Sequence, residues 1–215
     1  MSDVTLYGIP GSPYLRAALM GLEEKQVPYK VMKLAPPQTK QPEHLARHPF
    51  GRIPAMEHGD FSLYETQAIL RYIDATFPGI ALRPTDPRAA ARMDQMVGVV
   101  DWYLFKDVSA TIVFNRVIAP SFGMPVNEET IAAAMPKAAV CVRELDRLIA
   151  GDDYVAGDAV TIADLMLAPQ LEFLAITPEG KALLEPYPRL PAWLARMQER
   201  PSMRATTWEK VSKAA

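Results

Sequence analysis

The chain has 215 residues, 49% of them hydrophobic, and a formal net charge of −2 with acidic and basic residues interspersed. That length can bury a sizeable core in one large domain or two smaller ones, and the charge balance argues against a nucleic-acid surface or a polybasic membrane patch. The lone Cys141 cannot close an intrachain disulfide, which fits a reducing compartment, and no apolar run approaches the roughly 20 residues that span a bilayer.

Asp3, Gly8 and Pro10 interrupt the N-terminus before any apolar stretch forms, so no signal peptide is read there. Val4 to Tyr7 is a short β-rich run closed by Gly8, Pro10 and Gly11. Ser12 then precedes Pro13, and serine at the N-cap with proline at the first helical position is a strong helix start. Leu15, Ala18, Leu19 and Leu22 share one face of that helix. Tyr29 to Leu34 alternates and reads as a second strand, completing a β-α-β unit whose crossover should be right-handed. APPQTKQPEH follows as a loop or short helix. Ile53-Pro54 is a bond open to the cis form, because proline narrows the trans preference to about 0.5–1 kcal/mol. After it, Ala55-Met56-Glu57 and Phe61 to Tyr64 form a β-hairpin turned on Gly59-Asp60. Glu65-Thr66 opens an amphipathic helix with Ala68, Ile69, Tyr72 and Ile73 at helical spacing. A backbone edge at Ile53 facing a helix N-terminus at Thr66 is a place to hold an extended peptide with a free carboxylate.

Residues 1–78 therefore read as a small α/β domain with a mixed sheet, in the order β-α-β-β-β-α with a loop or short helix after the second strand. Residues 79–87 are a proline-containing linker, and 88–215 are all-helical. Residues 88 to about 118 read as one continuous helix, ended by the loop APSFGMPV. Asn127 caps the next helix, Glu128 and Glu129 sit at the positive end of its dipole, and Gly151 ends it. Thr161-Ile-Ala-Asp164 is a capping box with Asp where Glu or Gln is commoner, opening a helix that contains Leu165, Leu167 and Leu171. A last helix near Pro191 to Glu199 holds Trp193, Leu194 and Met197 and stops at Pro201. His44, His48 and His58 match no metal spacing and read as solvated loop histidines.

LYGIPGSPYLRA near the front, HPFGRIPAMEHGDFSLYETQAILRYI in the middle, VTIADL in the helical part and RPSMRA near the end together resemble the cytosolic glutathione transferase family, of the serine type, over nearly the whole chain. The middle stretch is the most specific; the last two mark fold rather than chemistry. The resemblance implies a thioredoxin-like N-terminal domain on an all-α C-terminal domain. It also implies a cytoplasmic, homodimeric detoxification enzyme that uses glutathione as co-substrate and no metal, with no nucleic-acid or membrane partner. It assigns Ile53, Glu65 and Thr66 to glutathione, and Lys40 and Arg52 more weakly.

The residues themselves suit that ligand. Free N–H groups and the dipole at a helix N-terminus fit the γ-glutamyl carboxylate, with the Thr66 hydroxyl beside them and Glu65 facing the ammonium. A cis Pro54 exposes the Ile53 backbone for strand-like hydrogen bonds to the cysteinyl part. Either Lys40 or Arg52 meets the glycyl carboxylate. Each also has a plainer reading: Glu65 and Thr66 as a helix cap, Pro54 as a feature of the fold, Lys40 and Arg52 as surface cations. His48 stands where the family often has Asn and takes no role.

Chemistry then rests on Ser12. A thiol near pKa 8.5 is mostly protonated at neutral pH, and only its thiolate attacks electrophiles well. Lowering the pKa by about two units takes roughly 2.7 kcal/mol, within reach of one charge-assisted hydrogen bond and a helix dipole. Ser12 is thus a hydrogen-bond donor to sulfur, or else an ordinary cap, with the Tyr14 phenol as competing donor. Ser12-Pro13-Tyr14-Leu15 is similar to the Cys-Pro-Tyr-Cys of glutaredoxins with both sulfurs gone, so dithiol exchange has no machinery here. The electrophile is expected in a cleft between the domains, near Tyr14, Tyr103, Phe105 and Phe114. Glutathione transfer to a small apolar electrophile is the leading expectation. Glutathione-dependent dehalogenation, isomerisation or peroxide reduction, and a non-catalytic interaction or regulatory domain, are the alternatives.

Overall fold

The computed structural model of the protein describes residues 3–149 and 153–213. Its internal contacts divide it into two units: one runs to Arg83 and includes the segment from Gln198 onward, and the other is Pro84–Met197.

In the first unit, β1 (Val4–Gly8), α1 (Pro13–Glu24) and β2 (Tyr29–Lys33) form the expected β-α-β start. A 3₁₀ turn (Pro36–Lys40) and α2 (Pro42–Arg47) follow, then β3 (Ala55–His58), β4 (Phe61–Tyr64) and α3 (Thr66–Thr76). The sheet order is β2-β1-β3-β4, with β1 parallel to β2 and the other pairs antiparallel. One core joins these elements: Val4 and Leu6 of β1, Leu15, Leu19 and Leu22 of α1, Met56 of β3, Ile69 and Ile73 of α3. Each such side chain contributes about 1.5–3 kcal/mol on burial, so the apolar spacing in the sequence decides which helix faces turn inward.

APPQTKQPEH, open between loop and short helix, resolves into two short helical pieces. Pro36 and Pro42 each stand in the first turn of one of them, where a missing N–H is harmless. The histidine reading is corrected more sharply. His44 and His48 are each only 2% exposed, because α2 and the loop after it stack the two rings on each other, and His48 also packs against Tyr64 and Phe50. His58 is half-buried and shares a hydrogen with the Tyr72 hydroxyl at 2.8 Å.

The segment after Met197 groups with the first unit, whereas the sequence reading carried the helical domain to the end of the chain. Local periodicity cannot show this, because the ties are long-range: Arg200 grips Glu24 through two bonds of 2.7 Å, Ser202 donates to the same carboxylate, and the buried Arg16 donates to the Met203 carbonyl at 3.0 Å. This segment also holds α10 (Pro201–Ala205) and α11 (Trp208–Lys213), which the sequence reading did not place.

The second unit is helical. Asp86 caps α4 (Pro87–Val99) by accepting from the Ala89 N–H at 2.8 Å. The helix continues through Val100–Ile118 in a wider π-type winding and ends as α5 (Ala119–Ser121), so the first residues of APSFGMPV are still helical. Met96, Val100, Leu104, Val108 and Ile112 are all buried, one every fourth residue. At 3.6 residues per turn such a row drifts about 40° per step off the buried face; the wider winding from Val100 onward offsets that drift. Then come α6 (Glu128–Leu148), α7 (Ile162–Ala175), α8 (Pro178–Leu184) and α9 (Arg189–Glu199), whose last residues reach the segment described above. Asn127 caps α6 through Thr130 as expected, while the stop assigned to Gly151 lies outside the described residues. Asp164 of the capping box is fully buried and accepts from the N–H and hydroxyl of Thr161, the N–H of Val155 and the indole of Trp193, at 2.7–3.0 Å.

Candidate functional site

The strand register gathers the singled-out residues of the first unit. Tyr7 of β1 lies opposite Ala55 of β3, and Ala55 lies opposite Tyr64 of β4. The chain leaves Tyr7 toward Ser12, enters Ala55 from Ile53-Pro54, and leaves Tyr64 into Glu65-Thr66. All these segments therefore emerge from one end of the sheet, across neighbouring strands about 4.8 Å apart. The parallel strand β2 ends there too, with Met32 opposite Tyr7, and feeds the turn that carries Lys40.

Ser12 is the N-cap of α1 in extended backbone, and its Oγ accepts from the Leu15 N–H at 3.3 Å. The oxygen is used as an acceptor, so its own proton is still available to a ligand. Gly11 before it has φ +88°, and a Cβ there would stand 2.7 Å from the Trp208 ring, so that indole of α11 lies flat on the turn leading into Ser12. Sequence reasoning missed Trp208, which follows no motif and meets the turn only through the fold. Tyr14 is half-buried in the first turn of α1.

Glu65 is the N-cap of α3, but its side chain makes no capping bond. Its backbone sits at φ 72°, ψ 113°, a left-handed setting that costs a non-glycine residue about 1–3 kcal/mol. The carboxylate is exposed and, among the described residues, has no hydrogen-bond or ion-pair partner. Thr66 beside it is buried at the first position of α3. The plainer reading, in which the Glu65 side chain simply caps the helix, is thereby removed.

The peptide bond Ile53-Pro54 is cis. Ile53 stands just beyond the β1–β3 ladder, which begins at Ala55, so its backbone is not consumed by that pairing. The two candidate cations differ. Lys40 turns its ammonium onto the loop carbonyls of Gly51 and Phe50, at 3.2 and 3.5 Å. The Arg52 guanidinium is exposed and has no partner among the described residues. His48 lies beneath this region with its ring 4.7 Å from that of Tyr64. Burial lowers its pKa below the ordinary 6.5, opposed in part by Glu65.

The residues proposed for the electrophile are not gathered. In the helical unit Tyr103 is 58% and Phe114 37% exposed, and Phe105 is half-buried. Tyr103 borders a groove of about 640 Å³ between the π-wound segment and α6, with Val99, Asp107, Val140 and Cys141, and neither phenylalanine lines it. Burial pushes the Cys141 thiol up to about 12, so it is inert at neutral pH. Among the described residues no group of His, Cys, Asp and Glu is arranged to hold a metal ion, and no helix is long and apolar enough to cross a membrane.

Comparison with known proteins gives the same picture. Residues 6–81 match the family model of the glutathione S-transferase N-terminal domain and residues 128–196 that of its C-terminal domain. The probable glutathione S-transferase GSTF1 of Oryza sativa subsp. japonica is 31% identical over 95% of both chains. Among solved structures, glutathione transferase F7 from Populus trichocarpa superposes with a TM-score of 0.83 at 28% identity over 98% of each chain. The maize glutathione S-transferase I in complex with an atrazine glutathione conjugate superposes with a TM-score of 0.83 at 27% identity, covering 99% of this chain and 100% of that one. The thioredoxin-like sheet and the helical unit described above are the two halves of that architecture, and the chain belongs to the glutathione S-transferase family.

Proposed function

We propose that the chain is a glutathione transferase that binds glutathione at the strand ends of its first unit and activates the thiol for attack on a small apolar electrophile. The observation that carries the assignment is Glu65. It is held at a strained positive φ at the N-terminus of α3, and its exposed carboxylate has no hydrogen-bond or ion-pair partner among the described residues. Strain of this kind persists where the surroundings over-determine it, and it concentrates at ligand clamps. In this reading the α3 N-terminus and Thr66 take the γ-glutamyl carboxylate, Glu65 takes the ammonium, and the Ile53 backbone pairs with the cysteinyl amide. Arg52 takes the glycyl carboxylate in preference to Lys40, whose ammonium already serves Phe50 and Gly51.

The Ser12 hydroxyl donates to the glutathione sulfur while its oxygen accepts from Leu15. With the positive end of α1, this favours loss of the thiol proton to solvent. The thiolate pair then forms the S–C bond, and a leaving group departs with its own electrons or the charge passes to the acceptor. Tyr103, Phe105 and Phe114 are proposed for the electrophile with less support, because the structure does not bring them together. Membership of the family supports a homodimer and a cytoplasmic role in detoxification.

An ultraviolet titration of the glutathione complex tests the core of this reading. A saturable thiolate absorbance at neutral pH is expected. Its absence together with no saturable binding overturns the enzymatic assignment in favour of a non-catalytic protein on the same fold.

A further inference from the structure

His44 has no part in the reading above, yet it is buried and polar and touches the stretch that presents Ile53 and Arg52. Its Nε2 lies 2.7 Å from the Arg52 carbonyl oxygen, its Nδ1 is buried with no partner among the described residues, and its ring stacks on His48 at 6.2 Å between centroids. A hydrogen on Nδ1 would be a buried donor lacking an acceptor, which costs about 1–3 kcal/mol. The ring therefore carries its hydrogen on Nε2, which donates to the carbonyl.

The Arg52–Ile53 bond is trans, since Ile53-Pro54 is the cis bond of the described residues. In a planar trans amide the carbonyl oxygen and the following N–H point in opposite directions. Holding the Arg52 oxygen toward His44 of α2 therefore aims the Ile53 N–H away from α2. Two further bonds brace the same loop: the His48 N–H to the His44 carbonyl and the Gly51 N–H to the His48 carbonyl, both 2.8 Å.

We infer that His44 is a positioning residue for glutathione: through the Arg52 carbonyl, it fixes the direction of the Ile53 N–H that receives the cysteinyl carbonyl. The inference rests on Ile53 as a glutathione contact. It separates ligand affinity from chemistry, because His44 does not act on sulfur.

The test compares glutathione binding and conjugation kinetics in the native protein, His44→Phe and His44→Gln. Phe keeps a buried ring and removes the donor; the Gln amide places an N–H where Nε2 stood. The glutathione Kd and KM of the Phe variant should rise about tenfold, while kcat and the electrophile KM stay within about twofold, and Gln should restore most of the affinity. A Kd unchanged in His44→Phe overturns the inference, as does equal loss in both variants with thermal stability intact. Failure of the native protein itself to bind glutathione overturns the underlying functional reading instead. Should the Phe variant not fold, long-range proton–nitrogen spectra of the native protein decide the matter: an Nε2–H tautomer at His44 is expected, and an Nδ1–H tautomer overturns the inference.

Discussion

Two helix starts in this molecule use nearly the same residues and do opposite things. At α7, Thr161 and Asp164 close on each other, and the buried carboxylate accepts from four donors spread over the helix start, the Val155 backbone and Trp193. At α3, Glu65 and Thr66 make no such closure: the carboxylate is exposed with no hydrogen-bond or ion-pair partner among the described residues, and the backbone is strained. Burial pushes the Asp164 carboxyl upward and its donors oppose that shift. An acid and a threonine at a helix N-terminus are thus a structural knot when their groups are consumed and a binding feature when they are left over. Ser12 stands between the two, with its oxygen in the cap and its proton free for a ligand.

The comparison can be broken at each position. Asp164→Ala should have the largest effect, lowering stability by at least about 3 kcal/mol because several buried donors lose their acceptor at once. Urea denaturation measures it, and a loss under about 1 kcal/mol would mean that α7 does not depend on the knot. Ser12→Ala comes next: the bound thiol's pKa should rise by up to about two units, toward about 8.5, and conjugation at neutral pH should fall by up to about 25-fold as the thiolate fraction drops, with glutathione affinity nearly intact and a cap cost near 1 kcal/mol. If conjugation survives, Ser12 is only a cap, and Tyr14 or backbone groups address the sulfur.

Glu65→Gly should be smaller and of mixed sign. Stability should stay level or rise by about 1 kcal/mol as the strain is relieved, while glutathione affinity drops about tenfold through the lost charged contact. A variant that loses both stability and nothing in affinity would put Glu65 in the same class as Asp164. The smallest effect is a slope against pH. Burial holds the His48 pKa below 6.5, so the unfolded chain takes up the proton first as pH falls. Native stability should therefore decline on acidification from about pH 6.5 down toward the lowered folded value, and His48→Asn should flatten that decline. Equal slopes in thermal melts of the two proteins would remove His48 from the acid response.

Much of the site was legible in advance where the signal lies within a few residues. Ser12 before Pro13 announces an N-cap, the Ile53-Pro54 pair before a hairpin leaves the cis form open, and Thr161 with Asp164 marks a capping box. What was not legible depends on which distant segment arrives. The three histidines match no local signal for burial; it comes from the fold, which packs His48 against Tyr64 and Phe50, stacks His44 on His48, and sets His58 of β3 beside Tyr72 and Phe77. Lys40 and Arg52 are equivalent cations on paper, and only the fold turns one onto the Gly51 carbonyl and leaves the other without a partner among the described residues. The apolar row at four-residue spacing from Met96 to Ile112 lies in the sequence, but local periodicity reads it as an ordinary helix rather than a wider one.

The sequence by itself determined the main elements and their class, short of α8, α10 and α11: a β-α-β start, a hairpin, a capped helix, then helices alone. These follow from capping, turn chemistry and apolar period, all interactions between near neighbours. The tertiary structure alone decided that four strand ends meet on one side of the sheet, that Trp208 covers the turn before Ser12, that the segment from Gln198 joins the first unit, and that the Glu65 carboxylate is left unengaged. Those outcomes depend on register and on contacts between residues far apart in the chain, where burial and geometry outweigh local preference.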